Sequence, residues 1–114
     1  MKTDFTDDSM AALEAKAEEV AITLSAMANP RRLVVMCSLL AGEKSVGELA
    51  EIVGLTPAAL SQHLGKMRGL RLVATRRDGQ TIYYRLASVE VQAMLETLHR
   101  VYCAPQTAGP SPSE

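Results

Sequence analysis

The sequence has no tryptophan and only one phenylalanine. Leu, Val, Ile, Met and Ala must therefore build the core. Cysteine is scarce too: Cys37 and Cys103 stand far apart, and neither falls in a CxxC or other metal-ligand spacing. In a reducing cytoplasm they are expected as free thiols at rest. No apolar run approaches the ~20 residues that a membrane-spanning helix requires. The amino end carries Asp4, Asp7 and Asp8 and no long apolar stretch, unlike a signal peptide. These absences point to a cytoplasmic chain with no membrane partner. There is also no nucleophile–base pair, phosphate-binding Gly loop or set of paired acids, so an enzyme is not expected.

Net charge is nearly absent as well, at −1 over 114 residues, which by itself argues against a nucleic-acid partner. The distribution argues otherwise. Residues 1–29 sum to −4 and residues 86–114 to −2. Residues 56–85 carry Lys66, Arg68, Arg71, Arg76, Arg77 and Arg85 against Asp78 alone, a sum of +5. A basic segment hidden inside a neutral total is the footprint of a phosphate-binding surface, although charge alone fits a solvated face equally well.

Apolar spacing predicts five helices. The first spans Met10 to Met27, with Ser9 as its N-cap and Leu13, Ala17, Val20, Leu24 and Met27 as its stripe. Asn29-Pro30 breaks the chain. A second helix follows from about Arg31 to Ala41, with Leu33, Met36, Cys37 and Leu40 inward and Gly42 at its end. Ser45 and Glu48 form a capping box for a short third helix, with Leu49 and Ile52 inward and Gly54 closing it. Thr56 caps the fourth, with Pro57 at its first position. Its buried stripe is Leu60, Leu64 and Met67, which leaves Ala59, Gln62, His63 and Lys66 toward solvent or a ligand. Two helices joined by a tight Gly-containing turn read as a helix-turn-helix.

Leu72–Arg77 and Gln80–Leu86 then read as strands around Asp78-Gly79, a strong hairpin signal. A basic hairpin placed directly after a helix-turn-helix is a wing. The fifth helix, Ser88 to Cys103, carries an apolar stripe of Val91, Met94, Leu95, Leu98, Val101 and Tyr102. The expected fold is mainly α with a small β-hairpin: a winged helix-turn-helix of four helices, two strands and a last helix. Residues 1–8 are expected as a flexible acidic end, 9–103 as the domain, and 104–114, with Pro105, Pro110 and Pro112, as a disordered tail.

The chemistry of the fourth helix suits DNA. Thr56, Ser61, Gln62 and His63 offer short polar groups for base edges and phosphates. Lys66, Arg76, Arg77 and Arg85 can neutralise phosphates without reading sequence. Thr56 is equally accounted for as a cap, and Arg85 as one half of an ion pair.

Four stretches carry a resemblance: Met27-Ala28-Asn29-Pro30-Arg31-Arg32-Leu33, Ser45-Val46-Gly47-Glu48-Leu49-Ala50, Leu60-Ser61-Gln62-His63-Leu64 and Gly79-Gln80-Thr81-Ile82-Tyr83-Tyr84-Arg85-Leu86. Over about residues 15 to 103 the chain resembles the ArsR/SmtB family of winged-helix repressors. The resemblance implies a homodimer on double-stranded operator DNA, with the fourth helix in the major groove and the wing on the flanking backbone. It implies a dimer interface from the first and last helices, here Leu13, Ala17, Val20 and Leu24 with Met94, Leu98, Val101 and Tyr102. Val35-Met36-Cys37-Ser38-Leu39 and Val101-Tyr102-Cys103 are further similar to the sulfide-responsive BigR, SqrR and YgaV subgroup. That similarity implies a persulfide or polysulfide inducer, which converts Cys37 and Cys103 to a disulfide or polysulfide bridge and releases the operator. The reduced pair is then expected close together across the second and fifth helices, somewhat beyond comfortable disulfide range.

The family's metal sites are not matched. Residues 43–50 hold no cysteine, and of Ser88, Glu90, Val101 and Ala104 only Glu90 could ligate. No metal and no cofactor is expected. Two alternatives stay open: a repressor with structural cysteines that answers another ligand, and a winged-helix module that binds protein.

Overall fold

The computed structural model of the chain describes residues 6–103; residues 1–5 and the expected tail at 104–114 lie outside the described residues. Helix α1 (Asp7–Met27) begins three residues earlier than the sequence reading placed it. Thr6, not Ser9, is the N-cap. The Thr6 hydroxyl accepts from the Ser9 amide at 3.1 Å, and the Ser9 hydroxyl accepts from the Thr6 amide at 2.9 Å. That reciprocal box puts Ser9 at the third helical position and brings Asp7 and Asp8 into the first turn, where acids suit the helix dipole.

Asn29 caps α2 (Pro30–Ser38) through Oδ1 on the Arg32 amide, and Pro30 takes the first position. A 3-10 turn (Leu39–Ala41) ends at Gly42, whose φ of 130° few side chains tolerate. The expected Ser45–Glu48 box caps α3 (Val46–Val53). Thr56 caps α4 (Pro57–Gly69), and Ser88 caps α5 (Val89–Tyr102). Between α4 and α5 lie β2 (Val73–Asp78) and β3 (Thr81–Leu86), paired antiparallel with Asp78 opposite Thr81. The hairpin tip is thus Gly79-Gln80 rather than Asp78-Gly79, with Gly79 at φ 64°. A positive φ at the first loop position is what a two-residue turn matched to strand twist requires.

One strand was not expected. β1 (Lys44–Ser45) pairs with Tyr83 and Tyr84, so the sheet has three strands in the order β1-β3-β2. The wing is thereby tied to the start of α3.

The core joins Val35, Met36 and Leu39 to Leu49, Leu60, Leu64, Met67, Val73, Tyr84, Val91 and Leu95. Two inward assignments shift. Ile52 is 46% exposed, and Ala50 takes its place beside Leu49. In α2 and the 3-10 turn after it the deepest residues are Val35, Met36 and Leu39, while Leu33, Cys37 and Leu40 sit half-buried at the margin. No described helix is long and apolar enough to cross a membrane.

Candidate DNA-binding face, dimer face and dithiol cleft

Helix α4 presents a polar face opposite Leu60, Leu64 and Met67. Ala59, Gln62 and Lys66 are exposed on it. The Thr56 hydroxyl accepts from the Ala59 amide at 3.1 Å, leaving the amides of the first turn directed outward. The Ser61 hydroxyl donates to the Pro57 carbonyl at 2.9 Å, so it faces an outside partner chiefly as an acceptor. His63 differs from these residues. It is half-buried, and its Nδ1 accepts from Arg32 Nε of α2 at 3.3 Å. That bond fixes Nε2 as the protonated, donating nitrogen. The neighbouring Arg31 donates to the Val53 carbonyl at the end of α3 at 3.4 Å. The first turn of α2 therefore holds both helices of the helix-turn-helix.

The wing separates its arginines by strand alternation. Arg76 faces Tyr83 and packs over its ring at 4.7 Å to the centroid. Its Nε donates to both carboxylate oxygens of Glu43 at 2.9 Å, an ion pair that anchors the wing to the segment before β1. Arg77 lies one residue on, opposite Ile82, on the sheet face that Val73 and Tyr84 turn toward the core. It is exposed and makes no ion pair among the described residues. Arg85 shares the Arg76 face. It lines a cleft with Gly42, Glu43 and Gln92, away from the hairpin tip.

The expected dimer residues lie on α1 and α5, and none of them is buried. α1 buries only Ala26 and Met27, while Leu13 and Leu24 are each 49% exposed. Leu24 and Met27 face Ala93, Met94, Thr97 and Leu98 across a trough of about 400 Å³. Val20 and Met94 line a separate cleft of about 160 Å³, Ala17 is exposed, and Val101 and Tyr102 are 60% and 79% exposed at the end of α5.

Cys37 and Cys103 line one apolar cleft of about 190 Å³, with Leu33, Leu98, His99 and Tyr102. Cys37, at the end of α2, is half-buried, while Cys103, the C-cap of α5, is exposed. Burial pushes the Cys37 thiol above its ordinary value, and negative charge on Cys103 pushes it in the same direction. Among the described residues no three His, Cys, Asp or Glu side chains converge on a point, and Glu90 accepts from the Ser88 hydroxyl.

Sequence reasoning missed Arg31, Arg32, Glu43 and Tyr83. The expected Asp78-Gly79 tip sets Thr81 opposite Arg76, and only the observed Gly79-Gln80 tip brings Tyr83 there. The others depend on packing between distant segments.

Residues 29–75 match the family model described as bacterial regulatory protein, arsR family. The chain is 50% identical over 91 residues to the transcriptional activator HlyU of Vibrio cholerae, covering 80% of this chain and 84% of that protein. It is 41% identical over 103 residues to the biofilm growth-associated repressor of Agrobacterium fabrum, covering 90% and 88%. Among solved structures, reduced HlyU from V. cholerae superposes with a TM-score of 0.78 at 48% identity, covering 82% of this chain and 98% of that one. A homodimeric winged helix-turn-helix DNA-binding domain from Mycobacterium bovis gives 0.68 at 30% identity, covering 88% and 89%.

Proposed function

This chain belongs to the ArsR family of bacterial regulatory proteins and is a DNA-binding transcriptional regulator; we propose that it is a homodimeric operator-binding repressor that releases DNA when reactive sulfur bridges Cys37 to Cys103. The observation that carries the sensing role is the shared cleft: the chain's only two cysteines stand 66 residues apart in sequence and line one apolar cleft. The M. bovis relative is homodimeric, and a second copy is the natural cover for the trough between α1 and α5. On DNA, Thr56, Ala59, Ser61, Gln62 and His63 enter the major groove, Lys66 and Arg77 meet phosphates, and Arg76 holds the wing in place.

The two thiols have different tasks. Cys103 is exposed, so it attacks first. Its thiolate forms a bond to the outer sulfur of a persulfide RSSH, the RS–SH bond breaks, and RS⁻ leaves. Cys37 then loses its proton to solvent and attacks Cys103 Sγ, expelling hydrosulfide and closing a disulfide. The two thiols are oxidised and the sulfane sulfur is reduced. If Cys37 has itself taken a sulfur from a second persulfide, the same displacement closes a trisulfide. The half-buried Cys37, held as a thiol, resists nonspecific oxidation until its partner carries sulfur.

The test is mass spectrometry of the reduced protein after persulfide treatment, alongside operator titration. A sulfur-linked Cys37–Cys103 peptide pair with loss of operator affinity is the expected result. Intact operator binding with no cross-link overturns the sensing role, and absence of any operator affinity in the reduced protein overturns the DNA-binding face.

A further inference from the structure

Cys37 and His99 line two clefts at once. On one side is the apolar cleft shared with Cys103. On the other is a more polar cleft of about 450 Å³, lined by Cys37, Leu40, Ala41, Glu96, His99 and Arg100. That volume falls within the ~300–1,000 Å³ typical of small-molecule sites. The polar cleft shares no residue with the trough lined by Met94 and Leu98.

Its charges are arranged unusually for one helix face. Glu96 and Arg100 are four residues apart in the order that favours a mutual ion pair. They do not form one. Gln92 Nε2 donates to Glu96 Oε2 at 3.3 Å, and Arg100 Nη2 donates to Thr97 Oγ1 at 3.2 Å. Among the described residues the ion pair is Arg76–Glu43, so the Glu96 carboxylate and the Arg100 guanidinium each keep an uncompensated charge. A negative and a positive group about one helical turn apart, at the mouth of a cleft that ends on a thiol, match a ligand with an ammonium, a carboxylate and a sulfur chain.

We propose that this polar cleft is the docking site for a low-molecular-weight persulfide that carries an α-amino acid group. Its carboxylate pairs with Arg100 and its ammonium with Glu96. Its outer sulfur passes Cys37 and His99 into the apolar cleft, where Cys103 attacks it. The released thiolate stays on the polar side and departs with its charged end. The apolar cleft, walled by Leu33, Leu98 and Tyr102, excludes that end, so the reacting sulfur is the only part that enters. This site rests on the sulfur-sensing role and adds to it a preference for the organic part of the inducer.

The experiment compares the rate of Cys37–Cys103 bridging by cysteine persulfide with that by 2-hydroxyethyl persulfide, which has the same reacting sulfur but no charge. In the unaltered protein the amino-acid persulfide is expected to react about tenfold faster, the worth of one charge-assisted contact. In Arg100→Ala, and separately in Glu96→Gln, the ratio of the two rates falls toward one. Arg100 and Glu96 are exposed, and circular dichroism checks that the variants fold. Equal rates for both persulfides in the unaltered protein, or an unchanged ratio in both variants, overturns the site while leaving the sensing role standing. No bridge with either persulfide overturns the sensing role and this site with it.

Discussion

Two adjacent arginines on the wing are expected to behave differently on DNA, and salt dependence separates them. Arg77 is exposed, makes no ion pair among the described residues and lies on the sheet face that Val73 and Tyr84 turn toward the core. Arg76 is already held by Glu43 at 2.9 Å and stacked on Tyr83. Removing one phosphate contact from each protomer of a dimer lowers the number of neutralised phosphates by two. The slope of log K against log salt then becomes shallower by about 1.8. Between 50 and 200 mM salt, the unaltered protein should lose roughly tenfold more affinity than Arg77→Ala does. Arg76→Ala removes a side chain whose charge Glu43 already compensates, so affinity falls as the wing loosens but the slope stays near that of the unaltered protein. The ion pair is partly exposed, at 49% and 31% of the side chains, and contributes no more than about 1 kcal/mol to stability, so the fold survives. Fluorescence anisotropy of a labelled operator at four salt concentrations measures all three slopes. A slope change for Arg76→Ala as large as that for Arg77→Ala would refute the division of roles, and no change for Arg77→Ala would remove the wing from the phosphate contacts.

Leu13→Ala with Leu24→Ala should weaken the dimer about a thousandfold: four half-exposed leucines across a symmetric interface contribute roughly 1 kcal/mol each on burial. Sedimentation equilibrium measures this, and a dissociation constant within threefold of the original would exclude the α1 stripe from the interface. In Cys103→Ser, alkylation of Cys37 by iodoacetamide should require higher pH than a model peptide thiol, because burial, the larger cause of its raised value, remains. A rate–pH profile at or below that of the peptide contradicts the assignment. Arg32→Ala should cut operator affinity about tenfold through loss of the His63 orientation while leaving the salt slope unchanged, whereas a shallower slope would mean that Arg32 itself meets phosphate.

What the sequence disclosed was mostly local. The Ser45–Glu48 box, Thr56-Pro57 and the hairpin around Gly79 are signals written within a few residues, and each marks an observed boundary. Ser9 misled because Thr6 is an equally good cap three residues earlier, and the two serve the same box from opposite ends. β1 has two residues and no apolar alternation, so only its pairing with Tyr83 and Tyr84 defines it. Ile52 reads as inward on spacing, yet α3 is eight residues long and Leu49 with Ala50 already fills the contact. At the site the same distinction holds. The basic wing was legible, but Glu43, which compensates Arg76, lies 33 residues away in sequence. The cysteines stood out by scarcity, whereas their common cleft exists only because α2 packs on α5. Glu96, His99, Arg100 and Cys103 recur at one helix spacing and could have been read as a face. Their meaning depended on the cleft beside them.

Helix α2 is where these observations meet. It has nine residues, too short to bend appreciably, and rises about 1.5 Å per residue, so its ends move together. Arg31 and Arg32 in its first turn hold the end of α3 and His63 of α4. Cys37 in its last turn faces α5, which also lines the trough proposed to take a second copy. A bridge from Cys37 to Cys103 would fix α2 to the dimer helix at one end, so any change in spacing is delivered to the reading helix at the other. The Arg32–His63 bond is already 3.3 Å long, and a further half ångström takes it out of hydrogen-bonding range. Two reading helices must meet half-sites about one DNA turn apart, and both protomers carry the same lever. Displacement therefore acts at both half-sites together. On this argument a dimer bridged in one protomer only should lose part of its operator affinity and keep the rest, while bridging both protomers should remove specific binding.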